Sequence, residues 1–162
     1  MNDLLIRGAE PRDVPAIRQL VVDLAVYEKE PDAVLATEDD FLAALFSESP
    51  KVFALMCEHK GEIIGFALYF FNFSTWVGKH GVYLEDLFVK PDARGLGAGK
   101  ALLKAVAKVA LANDCGRYEW SVLDWNTPSI EFYKAQGAVP MEEWVGYRMD
   151  RAAIEAFVES PD

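Results

Sequence analysis

The stretch "DLFVKPDARGLGAGKALLKAVAKVA", residues 86–110, constrains the fold more than any other part of the chain. It begins with an apolar segment typical of a strand and ends with apolar residues at helical spacing. Between these segments, Gly95, Gly97 and Gly99 occupy alternate positions. Each glycine weakens a helix start, because its backbone loses more entropy on folding than that of any other residue. Three of them at one junction predict a turn that needs unusual dihedral angles or lies close to another molecule.

Two common glycine loops are excluded by the residues themselves. A P-loop would need glycine where the chain has Arg94, and Ser or Thr where it has Ala101. The dinucleotide fingerprint Gly-x-Gly-x-x-Gly is also absent, because the third glycine comes one position early. What remains is Arg-x-x-Gly-x-Gly, formed by Arg94, Gly97 and Gly99. Backbone N–H groups at such a helix start attract an anion such as a pyrophosphate, although a plain turn would also use glycines.

Size and composition predict one globular domain over residues 1–162, since 52% of the residues are hydrophobic and no linker or repeat interrupts them. The longest apolar run, residues 63–71, is far shorter than the roughly 20 residues of a membrane-spanning helix. Residues 1–11 lack the apolar core of a signal peptide. Cys57 and Cys115 lie far apart without a CxxC spacing, which argues against a disulfide scaffold or zinc site. We therefore expect a cytoplasmic protein with no membrane partner and no metal.

The net charge argues against one class of partner and favours another. The chain has 16 Lys and Arg against 26 Asp and Glu, which gives a formal charge of −10 at pH 7. Such a field repels nucleic acid and attracts a cationic ligand. Solubility alone would explain the same charge, so both interpretations stay open.

Periodicity and capping signals predict a mixed α/β sheet with helices on both faces. Residues 51–73 predict an antiparallel hairpin that turns at Lys60-Gly61. The other predicted strands are residues 4–10, 81–89, 117–125 and 142–150. Helices are predicted at residues 12–30, 38–48, 96–113 and 127–136, followed by one at the C-terminus. Asp13, Thr37 and Thr127 are placed to cap three of these helices.

The glycine motif and the element order resemble the GNAT superfamily of N-acetyltransferases, and most closely its spermidine/spermine (diamine) acetyltransferase family. "RGLGAG" after "LEDLFV" resembles the acetyl-CoA-binding signature of the superfamily. "LAVYEKE", "FSTWVGK", "YLEDLFV" and "WNTPSIEFYKAQGA" resemble segments of the narrower family in the same order. The resemblance implies the GNAT fold, a homodimer, and acetyl-CoA as cosubstrate. It also implies direct attack by a small polycationic amine: a diamine, a polyamine or a lysine analogue such as thialysine.

The resemblance further implies which residues form the site. The cofactor-binding positions lie at the strand end, in the glycine loop and near residue 126: Leu87, Phe88, Val89, Arg94, Gly95, Leu96, Gly97, Ala98, Gly99, Lys100, Asn126 and Ser129. The substrate-side positions are Tyr27, Glu28, Glu85, Asp86 and Glu142. The last is placed loosely, on Glu142 or Glu143, because residues 138–150 are shorter than the corresponding segment of the family. Trp76 joins them, because an aromatic face attracts ammonium groups, although core packing would explain it equally.

Acetyl transfer gives two of these residues a chemical role. An alkylamine has a pKa near 10.4 and must lose a proton before it attacks a thioester at neutral pH. Glu85 and Asp86 are strand neighbours that point to opposite faces, and the resemblance favours Glu85 as the residue that helps to remove this proton. Tyr133 matches the proposed general acid for the thiolate leaving group, although a helical tyrosine is often only a packing residue.

Two other functions stay open at this point. One is a GNAT enzyme for an unrelated amine, such as a protein N-terminus or an aminoglycoside. The other is an acyl-CoA-binding sensor without catalysis. Turnover with a panel of amines distinguishes all three, since a sensor binds acetyl-CoA but does not consume it.

Overall fold

The structure is a computed structural model that describes residues 3–162. These residues form two compact units, one ending at Ser121 and the other comprising Val122–Asp162. Each unit has its own helices and is described separately below. The single domain over residues 1–162 stays a prediction.

A five-stranded sheet forms the centre of the first unit, with the strands side by side in chain order. Its strands are β1 (Leu4–Gly8), β2 (Phe53–His59), β3 (Glu62–Ser74), β4 (Lys79–Val89) and β5 (Arg117–Glu119). The first four are antiparallel neighbours, and β5 is parallel to β4. The mixed sheet and the hairpin turn at Lys60-Gly61 are confirmed, but the strand predicted at residues 117–125 ends at Glu119.

Helices cover both faces of this sheet, as predicted. The helices are α1 (Val14–Tyr27), α2 (Glu38–Phe46) and α3 (Ala98–Ala112). Six consecutive residues of β3, 64–69, are buried, and because successive side chains point to opposite faces, neither face is left to solvent. One face joins Phe66 and Phe88 to Ile17 and Leu20 of α1 in the main core cluster. Helix α3 contacts β3 and β4 but lies outside that cluster, so it covers the other face.

The two helix caps predicted in this unit have different outcomes. Thr37 caps α2 as predicted, since its hydroxyl accepts a hydrogen bond from the Asp40 N–H at 3.1 Å. Asp13 precedes α1 but does not cap it. Its buried carboxylate instead accepts two hydrogen bonds from Arg7, at 2.7 and 2.9 Å, and one from the Glu10 N–H at 2.7 Å. The Arg7 guanidinium therefore lowers the pKa of Asp13, and the carboxylate joins β1 to the start of α1.

The second unit contains α4 (Thr127–Ala135) and α5 (Arg151–Glu159). Asn126, not Thr127, caps α4, because its side-chain oxygen accepts a hydrogen bond from the Ser129 N–H at 3.4 Å. The strand predicted at residues 142–150 is wrong, since these residues are exposed and form no regular structure. A strand exists only through pairing with a neighbour, and this unit contains no strand with which these residues could pair.

Two kinds of feature are not found in residues 3–162. None of their helices combines the length and the apolar character that crossing a membrane requires. Their His, Cys, Asp and Glu side chains form no group of three or more that could hold a metal ion.

Candidate active site

The glycine loop between β4 and α3 adopts backbone conformations that favour glycine. Gly95 has a φ of +91° and Gly97 a φ of +82°, both in the left-handed region. Gly97 directly precedes α3, and no side chain caps the first turn of that helix. The first N–H groups of α3 therefore have no side-chain acceptor, and they lie at the positive end of the helix dipole. This arrangement suits an anionic ligand.

Gly99 is not required by the turn. It lies within α3, and a Cβ at this position would meet only the Cγ2 of Val89, at an ordinary distance of 4.0 Å. The protein therefore has room for a side chain that it does not carry. The missing side chain leaves the backbone of the first turn accessible to a ligand, whereas the neighbouring Ala98 is buried and Lys100 is exposed.

Strand β4 loses one of its two neighbours close to the predicted cofactor residues. Strand β5 pairs only with Gly81, Val82 and Tyr83. From Asp86 to Val89, β4 is paired with β3 on one side, and the described residues provide no strand on the other. The backbone polar groups along that open edge need another partner, such as water or the amide groups of an extended ligand.

Two predicted substrate-side carboxylates, Glu28 and Glu85, act on a third, Asp86, in the first unit. Glu28 directly follows α1, and Asp86 lies opposite Leu68 on the sheet face that packs against α1. Burial raises the pKa of Asp86 to about 6, and the negative charges of Glu85 and Glu28 add to this effect. Burial also raises the pKa of Glu28. A carboxylate that binds protons near neutral pH can attract a cationic amine and accept its proton.

Glu85 differs from Asp86 because it is the extra residue of a β-bulge. Leu68 pairs with Asp86 and Tyr69 with Leu84, so that no residue of β3 lies opposite Glu85. Its side chain is exposed. A bulge changes the direction of the side chain that it contains, and the sequence carries no signal for this one. Burial therefore favours Asp86 over Glu85 as the proton acceptor, while the catalytic role of Glu85 stays a prediction.

Both aromatic residues predicted on the substrate side contact an arginine. The guanidinium carbon of Arg94 lies 5.4 Å from the ring centroid of Tyr27. Trp76 is 81% exposed, and the guanidinium carbon of Arg117 lies 5.9 Å from its ring centroid. This exposure excludes core packing as the explanation of Trp76. Sequence reasoning missed both contacts, because they join residues far apart in the chain.

The other predicted site residues belong to the second unit. Asn126 is buried and caps α4 through the Ser129 N–H, so both residues contribute to local structure. Tyr133 is half-buried on α4, with its ring centroid 5.6 Å from that of Phe132. Glu142 is exposed in a stretch without regular structure. The cofactor, catalytic and substrate roles of these residues stay predictions.

Comparison with known proteins agrees with these features of the chain. The sequence model described as "Acetyltransferase (GNAT) family" matches residues 14–138, which is most of the chain. The chain belongs to the GNAT family. It is therefore an N-acetyltransferase, and enzymes of this family use acetyl-CoA as cosubstrate.

Individual relatives extend over nearly the whole acetyltransferase. Thialysine N-epsilon-acetyltransferase of Sus scrofa is 38% identical and is aligned over 98% of both chains. Spermidine/spermine N(1)-acetyltransferase-like protein 1 of Homo sapiens is 33% identical over 95% of this chain, which spans 24% of that longer protein. A solved integron cassette protein from V. cholerae is 27% identical, with a TM-score of 0.81 over 98% of this chain and 99% of that one. The predicted fold, family and acetyl transfer to an amine are confirmed.

The raised pKa of Asp86 predicts a specific pH dependence of stability. Because its pKa is raised from 3.8 to about 6, a charged Asp86 lowers the free energy of unfolding above pH 6. Below pH 4 the group is protonated in both the folded and unfolded states, and the penalty is absent. We expect Asp86→Asn to raise the free energy of unfolding by about 2 kcal/mol at pH 8, and this gain to shrink as the pH falls to 4.

Urea denaturation at pH 4, 6 and 8 measures this effect. Asp92→Asn, which changes an exposed carboxylate six residues away, is the matched control and should have little effect at any pH. A destabilised Asp86→Asn at pH 8 would contradict the assignment.

Proposed function

We propose that this acetyltransferase moves the acetyl group of acetyl-CoA to a primary amine of a small molecule that carries a second positive charge. Thialysine-like amino acids, diamines and polyamines belong to this class. The observation that carries the proposal is the buried carboxylate of Asp86, on which the negative charges of Glu85 and Glu28 act. The relatives named for thialysine and for spermidine/spermine support it, because each of these compounds has more than one amino group.

In this proposal acetyl-CoA binds to the glycine loop and to the open edge of β4. The N–H groups of residues 95–100 hold the pyrophosphate, and the backbone of Leu87, Phe88 and Val89 pairs with the amides of the pantetheine arm. The left-handed Gly95 and Gly97, together with the uncapped first turn of α3, support this assignment.

The proposed reaction begins with a protonated amine bound by the carboxylates. Asp86 accepts a proton, directly or through water, and the neutral amine attacks the thioester carbonyl. The C–S bond then breaks, the electron pair leaves on the sulfur of CoA as a thiolate, and the nitrogen loses its second proton to water or to this thiolate as the amide forms. We assign Tyr133 to this thiolate on the resemblance of its segment. A phenol of pKa about 10 is a weaker acid than a thiol of pKa about 8.5. A hydrogen bond from the Tyr133 hydroxyl to the thiolate therefore costs less free energy than complete transfer of the proton.

We further propose a homodimer, as the family resemblance implies, and a cytoplasmic location, as the composition and the two separate cysteines predict. Large apolar side chains of the second unit are exposed, among them Val145 at 74%, Tyr147 at 97% and Phe157 at 66%. Exposed apolar surface of this kind is typical of an interface, and a second copy of the chain would cover it.

An amine panel tests the proposed substrate class. We measure kcat/KM by the release of free CoA. We expect it to be at least tenfold higher for thialysine, 1,4-diaminobutane or spermidine than for butylamine. This ratio corresponds to ~1.4 kcal/mol of binding free energy from the second positive charge. Glu28→Gln should reduce this preference, because it removes one of the carboxylates. Glu30→Gln is the control, since it changes an exposed carboxylate two residues away.

Three results of the panel would contradict the proposal. Equal kcat/KM values for butylamine and the diamines would mean that the enzyme does not recognise a second positive charge on its substrate. Turnover confined to an alanyl peptide or an aminoglycoside would indicate another GNAT substrate. Binding of acetyl-CoA without turnover of any amine would indicate a sensor.

Gly99→Val tests the proposed position of the pyrophosphate. A Cβ fits at this position without a clash, so we expect the fold to tolerate the substitution, whereas the branched group would block approach to the first turn of α3. We expect the Kd for acetyl-CoA to rise at least tenfold, ~1.4 kcal/mol, in calorimetry. Lys108→Val introduces the same branched side chain at an exposed position farther along α3 and is the control. An unchanged Kd would mean that the pyrophosphate binds elsewhere.

Tyr133→Phe tests the role of the phenol in catalysis. This change keeps the ring but removes the hydroxyl, so kcat should fall by ~10²–10³-fold while the Kd for acetyl-CoA stays nearly constant. Tyr147→Phe, at an exposed tyrosine of the same unit, is the control. Near-normal turnover of Tyr133→Phe from pH 6 to 10 would show that Tyr133 is only a packing residue.

A further inference from the structure

The side chain of Arg94 is held by two aromatic rings and one carbonyl group. Its guanidinium carbon lies 5.4 Å from the ring centroid of Tyr27 and 5.7 Å from that of Phe88. Its Nε donates a hydrogen bond to the carbonyl oxygen of Val89 at 3.3 Å. A guanidinium group that lies over an aromatic ring, within about 6 Å of the ring centroid, is attracted to it by a cation–π interaction.

The two rings differ in how firmly the fold holds them. Phe88 is 5% exposed and belongs to the main core cluster, so its position is fixed by packing. Tyr27 is the last residue of α1 and is 36% exposed. The contact with Tyr27 thus connects the end of α1 to the residue that opens the Arg-x-x-Gly-x-Gly loop.

The contacts of Arg94 leave most of its donors available. The bond to Val89 uses Nε, while the terminal nitrogens carry four further N–H donors in a planar fork. A guanidinium fork of this kind binds phosphate oxygens in pairs, and Arg94 stands directly before the loop whose backbone is proposed to hold a pyrophosphate. A flexible arginine would lose side-chain entropy on binding, whereas one already restrained by rings loses less.

We infer that Tyr27 is a positioning residue. It orients Arg94 toward the pyrophosphate of acetyl-CoA and thereby lowers the Kd for this cosubstrate. The inference rests on the proposed binding of acetyl-CoA at this loop. It differs from the substrate-side role that the family resemblance implies for Tyr27. The ring, not the hydroxyl, carries the effect, because the attraction involves the ring face.

A double-mutant cycle on Tyr27 and Arg94 tests the inference, with the Kd for acetyl-CoA measured by calorimetry. We expect Tyr27→Leu to raise this Kd about fivefold and Tyr27→Phe to keep it within about twofold of the original, since phenylalanine retains the ring. In an Arg94→Met background, Tyr27→Leu should cause no further loss, because the group that it orients is gone. Val26→Ala, at an exposed neighbour on the same helix end, is the matched control.

A second readout separates this role from a contact with the amine. Acetyl-pantetheine carries the thioester but no pyrophosphate, so Tyr27→Leu should change kcat/KM for acetyl-CoA but not for acetyl-pantetheine. Equal losses for both donors, a loss that persists in the Arg94→Met background, or equal weakening by Tyr27→Phe would each overturn the inference. Failure of the proposed function is seen separately in the unsubstituted protein, which would then either show no calorimetric binding of acetyl-CoA or bind it without the expected turnover of the amine panel.

Discussion

The pairing of β4 changes partway along the strand, and the candidate active site of the first unit depends on this change. From Gly81 to Tyr83 the strand has neighbours on both sides, and beyond Tyr83 the described residues give it one neighbour, β3. The bulge at Glu85 lies two residues beyond Tyr83, the last residue of β4 that pairs with β5. A 2.8 Å hydrogen bond still joins the hydroxyl groups of Tyr83 and Ser121, two residues beyond β5, but the backbone pairing of β4 and β5 has ended. One strand thus provides both an open backbone edge and two adjacent carboxylates, as transfer to an amine requires.

Asp86 is an unfavourable charge that the fold holds at the position where we propose that the amine loses its proton. Its partner across the sheet is Leu68, and both lie on the face where Phe66 and Phe88 pack against α1. An apolar residue would pack there without loss, whereas a carboxylate is desolvated and faces two like charges. The same environment that lowers stability gives the group a pKa near neutrality. A proton acceptor with an ordinary pKa would be a weaker base toward an ammonium group.

The sequence predicted those features that local signals determine. The cap at Thr37, the hairpin at Lys60-Gly61 and the glycine loop each depend on residues close together in the chain, and the structure confirms them. The bulge at Glu85 and the end of β4–β5 pairing depend on neighbouring strands, and local patterns did not indicate them. Residues 142–150 show the same limit, because alternating apolar residues predict a strand only if a partner strand is available. Family resemblance identified the candidate residues, but it did not distinguish the environments of Glu85 and Asp86.

Two consecutive residues at the end of α1 connect the two halves of the proposed chemistry. Tyr27 contacts Arg94 of the cofactor loop, and the charge of its neighbour Glu28 acts on Asp86. The C-terminal end of a helix carries partial negative charge, so it favours the guanidinium of Arg94 and any bound ammonium group alike. The helix itself packs into the core through Ile17 and Leu20. Glu28 adds a full negative charge to the partial charge of this helix end. The end of α1 therefore attracts cations locally, and its charge acts on Asp86, to which we propose that the amine binds.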